Sequence, residues 1–199
     1  MGLTNHKHYS KTLRYLLITC LFFVVPNIYA QDLIAPKELV QFGKIYRLAF
    51  QSKTPNVSSV NEYTTDNESI NNWTRLVTIN FNKSPNYSLL DFLTSHQKIL
   101  KAYRPEPHFS LYVKNGYAYS QIIFEPEKNN LFYELNIQKA VYNKKCGGMV
   151  SFQYAIKIPS ENPKNHEEHQ LFLKELLKRT NEMSDEMQSS DWMPMCVES

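Results

Sequence analysis

Two alternating apolar runs separated by Asn115-Gly116 constrain this chain more than any other feature: Phe109 to Lys114 before the dipeptide, Tyr117 to Phe124 after it. A type I′ turn needs positive φ at both central residues, and Asn-Gly supplies it at little steric cost, so the runs are expected to pair as an antiparallel hairpin. The same alternation recurs at Tyr46-Leu48-Phe50, Val60 to Thr64, Val77-Ile79-Phe81, Leu131 to Tyr142 and Val150 to Ile158. Each reads as a strand with one buried face.

Two stretches break that period. Ser88 with Asp91 resembles a capping box, and Leu89, Leu93, His96, Leu100 and Tyr103 follow at helical spacing until Pro105. Asn165 with Glu168 opens a second amphipathic segment running to about Met187. The order is three strands, a helix, four strands, a helix. It predicts an α+β class: a twisted antiparallel β-sheet of about six to seven strands, a meander, with two main helices packed on it. Residues 31–44, punctuated by Pro36 and Gly43, read as a loosely ordered lead-in to a single α+β domain spanning 31–199.

The first thirty residues read differently. Lys7, Lys11 and Arg14 precede the apolar run Leu16 to Val25 and the small-residue ending Ile28-Tyr29-Ala30, the layout of a secretory signal peptide. Cleavage is expected after Ala30, with a periplasmic location and no membrane span in the mature chain. A lipobox around Cys20 and an uncleaved anchor are the alternatives, but the apolar run continues past Cys20 and is short for a membrane span. Removal of residues 1–30 takes three basic and no acidic residues from the 22 Lys plus Arg, so the remainder balances the 19 Asp plus Glu. A neutral chain without a basic tract lacks the electrostatic footprint of a nucleic-acid binder.

Cys146 and Cys196 remain after cleavage. Export to an oxidising compartment favours a disulfide between them, with two free, partly buried thiols as the alternative.

The element order resembles the PsbP-like fold family, which includes DcrB-like periplasmic proteins. Glu68 followed by Asn72-Trp73-Thr74 and a Val/Ile strand, with Gly148 to Tyr154 later, resembles small uncharacterised exported bacterial proteins. The resemblance implies helices on the faces of a twisted antiparallel sheet. It also implies an accessory, adaptor or binding role rather than an enzyme.

Trp73 has two readings, core anchor or ligand platform. In the second, Asn72, Trp73 and Thr74 form one edge of a binding surface with Tyr117 and Tyr119 of the hairpin, rings of the kind favoured at interfaces; the same tyrosines could instead lie beneath a helix. His166 and His169 are the metal-ligand candidates, three apart on a helix, but a solvated helix start is the preferred reading and no cofactor is expected. Glu62, Asp66 and Glu68 gather before Trp73 without a recognisable catalytic motif, Cys146 lacks a nucleophile signature, and His96 and His108 stand alone. The expectation is a small exported non-enzymatic protein that binds another protein or an envelope component. The alternatives are a periplasmic immunity protein that neutralises a toxin and, further off, a metal-dependent hydrolase.

Overall fold

The computed structural model describes residues 32–55, 57–84, 86–127, 131–160 and 165–197, so the expected signal segment and its cleavage point lie outside the described residues. Strands β1 (Asp32–Leu33), β2 (Glu38–Gln41), β3 (Lys44–Thr54), β4 (Ser58–Thr64) and β5 (Arg75–Lys83) precede helix α1 (Leu89–Leu100). Strands β6 (His108–Lys114), β7 (Tyr117–Phe124), β8 (Phe132–Asn143) and β9 (Gly148–Pro159) follow, then helix α2 (His166–Ser189) and β10 (Cys196–Val197). The fold is α+β. An open antiparallel sheet of eight strands runs β2-β3-β4-β5-β9-β8-β7-β6, and β1 pairs with β10 in a separate two-stranded ribbon.

The expected hairpin is present, with Lys114 opposite Tyr117 and positive φ at Asn115 and Gly116. The four strands after α1 do form a meander. The sheet as a whole does not: β2 to β5 make one meander, β6 to β9 another, and the two join where β5 pairs with β9 over nine residues. The chain reaches the far edge through α1, which leaves β6 outermost.

Two further corrections concern the N-terminal half. Residues 38–41, expected in a loose lead-in, form an edge strand, because Phe42 and Gly43 both take positive φ (49° and 64°) and fold β2 back on β3. Positive φ is unusual for a bulky residue. Here the Phe42 ring stacks on Tyr154, centroids 3.9 Å apart, and that tertiary contact offsets the backbone cost. In β3 the register shifts between Leu48 and Phe50, so Leu48 lies opposite Tyr63 but Phe50 lies opposite Glu62. The bulge turns Phe50 away from the core face that Tyr46 and Leu48 share.

Opposite parities on the central strands cover opposite faces. Val77, Ile79, Leu135, Ile137, Phe152 and Tyr154 form the larger core with Leu176, Met183 and Met187 of α2. Leu93 of α1 packs on Ala118, Ala140 and Met149 on the other face. Small side chains there let the helix sit close to the sheet. The α1 capping box is made in full: Asp91 N donates to Ser88 Oγ at 3.1 Å and Ser88 N to Asp91 Oδ2 at 3.0 Å.

Helix α2 begins as expected, with Glu168 N donating to Asn165 Oδ1 at 2.9 Å, and ends without a basic residue in its last turn. Lys139 of β8 completes it instead. Its ammonium donates to Ser190 O at 2.6 Å and lies 4.2 Å from the Tyr117 ring centroid. A cation at a helix C-terminus meets both the orphan carbonyls and the negative end of the dipole.

Cys146, in the β8–β9 turn, is disulfide-bonded to Cys196 of β10, with Cα atoms 5.5 Å apart. The bond ties the ribbon to the sheet beside Phe81 and Val150.

Candidate functional site

The structure separates the residues that the sequence groups into one binding edge. Trp73 is half-buried, outside the core, with the Lys157 ammonium 3.9 Å from its ring centroid. Lys157 belongs to the α1-face parity of β9. Tyr119 belongs to the opposite parity, opposite Lys139, and stacks on Tyr112 at 5.4 Å. Tyr112 in turn accepts from Gln188 Nε2 of α2 at 3.0 Å. Along β8 the partners of Lys157 and Tyr119 are Glu134 and Lys139. Five residues at about 3.3 Å each put roughly 16 Å between them, on different faces. Tyr117 and Tyr119 thus lie on the sheet face that carries α2, with Tyr112 between Tyr119 and the helix.

The carboxylates before Trp73 also disperse. Glu68 organises the 65–74 loop, accepting from Thr65 Oγ1 at 2.7 Å, from Thr74 N at 3.0 Å and from Thr74 Oγ1. Burial opposes its charge, but the hydrogen bonds from Thr74 and Thr65 outweigh that and hold Glu68 below the ordinary carboxylate range. Asp66 pairs with Arg47. Glu62 stands mid-strand in β4, where burial pushes its carboxyl up. His108 contacts Glu125 at 3.0 Å. His166 is exposed and His169 half-buried at the start of α2. Among the described residues no group of three or more His, Cys, Asp or Glu is placed to hold a metal ion.

What the structure assembles is a cleft of about 300 Å³ between α1 and the sheet. Its floor is Asn80 and Asn82 of β5, Gln138 of β8 and Ser151 of β9. Its walls are Tyr87, Phe92, Ile99 and Met149, with Ser95 and His96 at the helix side. Register produces the floor. Asn80 lies opposite Ser151, Ser151 opposite Ala140, and Gln138 is one step along β8 on the same face. Strand alternation marks Thr78 and Asn80 as polar-face residues. That the polar faces of three strands coincide beneath a helix is decided by sheet order.

The floor is held in position from within. Gln138 Nε2 donates to Ser151 Oγ at 3.1 Å, and Ser120 Oγ donates to Gln138 Oε1 at 3.5 Å. The Tyr87 hydroxyl donates to Ser95 Oγ at 2.8 Å, pinning that ring against α1. The Asn80 and Asn82 carboxamides make no side-chain hydrogen bond to the described residues, so their donors and acceptors remain open to the cleft. His96 meets Phe92 edge-on, centroids 5.8 Å apart.

Burial lowers the His96 pKa from its ordinary 6.5. The unfolded chain therefore takes up this proton first as pH falls, and the stability associated with neutral His96 is lost as pH drops from about 6.5 through the lower folded value. In urea unfolding the fall in stability between neutral pH and pH 5 is expected to be smaller in His96→Gln than in wild type. An equal fall in both would show that His96 is not the group responsible.

The fold and cleft define an α+β protein with an open antiparallel sheet, a helix on each face, and a small cleft between sheet and helix lined by uncharged side chains. The chain belongs to an uncharacterised protein family whose profile matches residues 33–192. No curated protein and no solved structure matches it.

Proposed function

We propose that this chain is a small exported periplasmic protein that binds rather than transforms its ligand, and that the α1–sheet cleft is its binding site. The observation that carries the reading is the cleft lining: carboxamides and hydroxyls on the floor, with Gln138 and Ser151 bonded to each other, aromatic and aliphatic walls, and no Asp, Glu, Lys, Arg or Cys among the ten lining residues. Such a lining recognises by hydrogen bonds and burial, and its one imidazole, His96, is turned edge-on to the Phe92 ring. The Cys146–Cys196 bond supports an oxidising compartment, since such bonds persist outside the cytosol. One helix on each sheet face supports a PsbP-like arrangement.

Two measurements test this. N-terminal sequencing of the protein from a periplasmic fraction is expected to start at Gln31; a chain retaining residues 1–30 in the cytosol overturns the export reading. Amide NMR spectra recorded with a mixture of small neutral fragments are expected to shift first at residues 80–82, 92–99, 138 and 151. Shifts confined to the Trp73 loop would move the site to that edge.

A further inference from the structure

We infer that the cleft's ligand is a neutral carbohydrate of one or two rings, hydrogen-bonded by the Asn80, Asn82, Gln138 and Ser151 floor and stacked on the Phe92 side of α1; this rests on the cleft being the binding site. Three features of the molecule favour that chemistry over others of similar size.

The first is charge. None of the ten lining residues is Asp, Glu, Lys or Arg, and His96, which burial pushes down, is neutral at pH 7. A phosphate, a free amino acid or a nucleotide entering this space would leave ionic groups without a counter-charge, an expensive arrangement in a half-enclosed site. A polyol carries no such penalty.

The second is the kind of hydrogen bonding available. The floor belongs to β5, β9 and β8, all central strands whose backbone N–H and C=O groups are taken up by the ladder. A bound peptide would find no sheet edge to pair with, which is how extended peptides gain most of their main-chain bonds on sheets. Side-chain carboxamides and hydroxyls, each able to donate and accept, match adjacent ring hydroxyls, which do the same. The floor also extends beyond the cleft. Gln138 lies opposite Gln153, and Gln153 opposite Thr78, so a second sugar ring would meet further carboxamide and hydroxyl groups.

The third is shape. Sugar rings have one face of C–H groups, and the cleft sets the aromatic wall of Tyr87 and Phe92 across from its polar floor. A cleft of about 300 Å³ is at the small end of ligand sites, suited to a compact solute rather than a long chain.

The test is a titration of the ¹⁵N-labelled protein, purified from cells with its disulfide intact, with maltose, N,N′-diacetylchitobiose and, as the peptide comparison, N-acetyl-alanyl-alanine amide. The expected result is saturable shifts of the 80–82, 138 and 151 amides by at least one disaccharide, with ring-current shifts of that sugar's C–H protons. Asn80→Leu and Phe92→Ala are each expected to weaken binding about tenfold. Asn80 makes no internal side-chain bond, so its variant should retain the wild-type spectrum elsewhere. If the blocked dipeptide shifts the same amides and neither sugar does, the carbohydrate assignment is overturned while the cleft stands as the site. If no probe, fragment or sugar moves those amides, the cleft reading fails as well. Sugar binding unchanged in both variants overturns the assignment of the ring to this floor and wall.

Discussion

Replacing Cys146 and Cys196 together by Ala is expected to cost this protein about 4 kcal/mol in the chain-entropy model, because the bond closes a loop across a sequence separation of 50 residues. The consequences are local as well as global. The β1–β10 ribbon has two residues in each strand, far below what a hairpin needs to persist unaided. Its other anchors are Leu33 and Met193, packed with the buried Cys146 on Phe81 and Val150, and Trp192, whose ring meets Phe152 edge-on at 4.9 Å. Urea unfolding with and without a reductant measures the effect: wild type under reducing conditions should approach the variant. Amide exchange of residues 33 and 195–197 should rise before that of β5 and β9. A loss below about 1 kcal/mol would show that apolar packing alone seats the ribbon.

The second large effect is expected at Gly148, the first residue of β9. A Cβ there would press into Asn82 O and lie 2.8 Å from Lys83 Cα and from Phe81 Cε2. Two of those three neighbours are backbone of β5, in the pairing that joins the two meanders. They cannot swing aside as a side-chain end can. Gly148→Ala is therefore expected to cost about 3 kcal/mol, the upper range for overpacking. The neighbouring Gly147→Ala is the contrast. Its added Cβ meets nothing within 4 Å, but its φ is 67°, so about 1 kcal/mol of backbone strain is expected. Thermal melts of the two variants should rank Gly148→Ala well below Gly147→Ala. The reverse order would mean that β5 and β9 can shift apart at that end, and Asn82 on the cleft floor would shift with them.

The cleft depends on that same junction. Asn80 and Asn82 come from the last strand of the first meander, Gln138 and Ser151 from the second. On the proposed reading of the cleft, anything that loosens β5 against β9 should weaken ligand binding without touching a lining residue. The packing of this seam is therefore part of the site's construction, although Gly148 itself does not line it.

Several elements were legible in the chain because their causes are local. Asn115-Gly116 needs only its own backbone preferences to make a turn, and Ser88 with Asp91, or Asn165 with Glu168, needs only four residues to start a helix. Alternation at Val77-Ile79-Phe81 and Val150 to Ile158 needs only the pleat. Even the cysteine pair followed from count and the expected compartment. Where a distant partner decides the conformation, local signals failed. Phe42 is a poor residue for a positive-φ turn until Tyr154 stacks on it, so residues 38–41 carry no local signal of a strand. Phe50 fits the alternation of Tyr46 and Leu48, yet the bulge against β4 turns it to the other face.

The candidate site shows the same division. By itself the sequence determined that β5, β8 and β9 each carry a polar face, through Thr78 and Asn80, Asn136 and Gln138, and Ser151 and Gln153, and that His96 lies on or beside the apolar side of a helix. It determined the helix ends that caps within the chain can make. Only the tertiary structure decided that those polar faces adjoin and that α1 roofs them into a cleft. It also decided that Trp73 and Tyr119 lie on opposite faces, and that Lys139 from β8 terminates α2. The physical reason is that turns, caps and alternation depend on neighbours a few residues away. Cross-strand adjacency depends on strand order and register, which are set by burying the whole core at once.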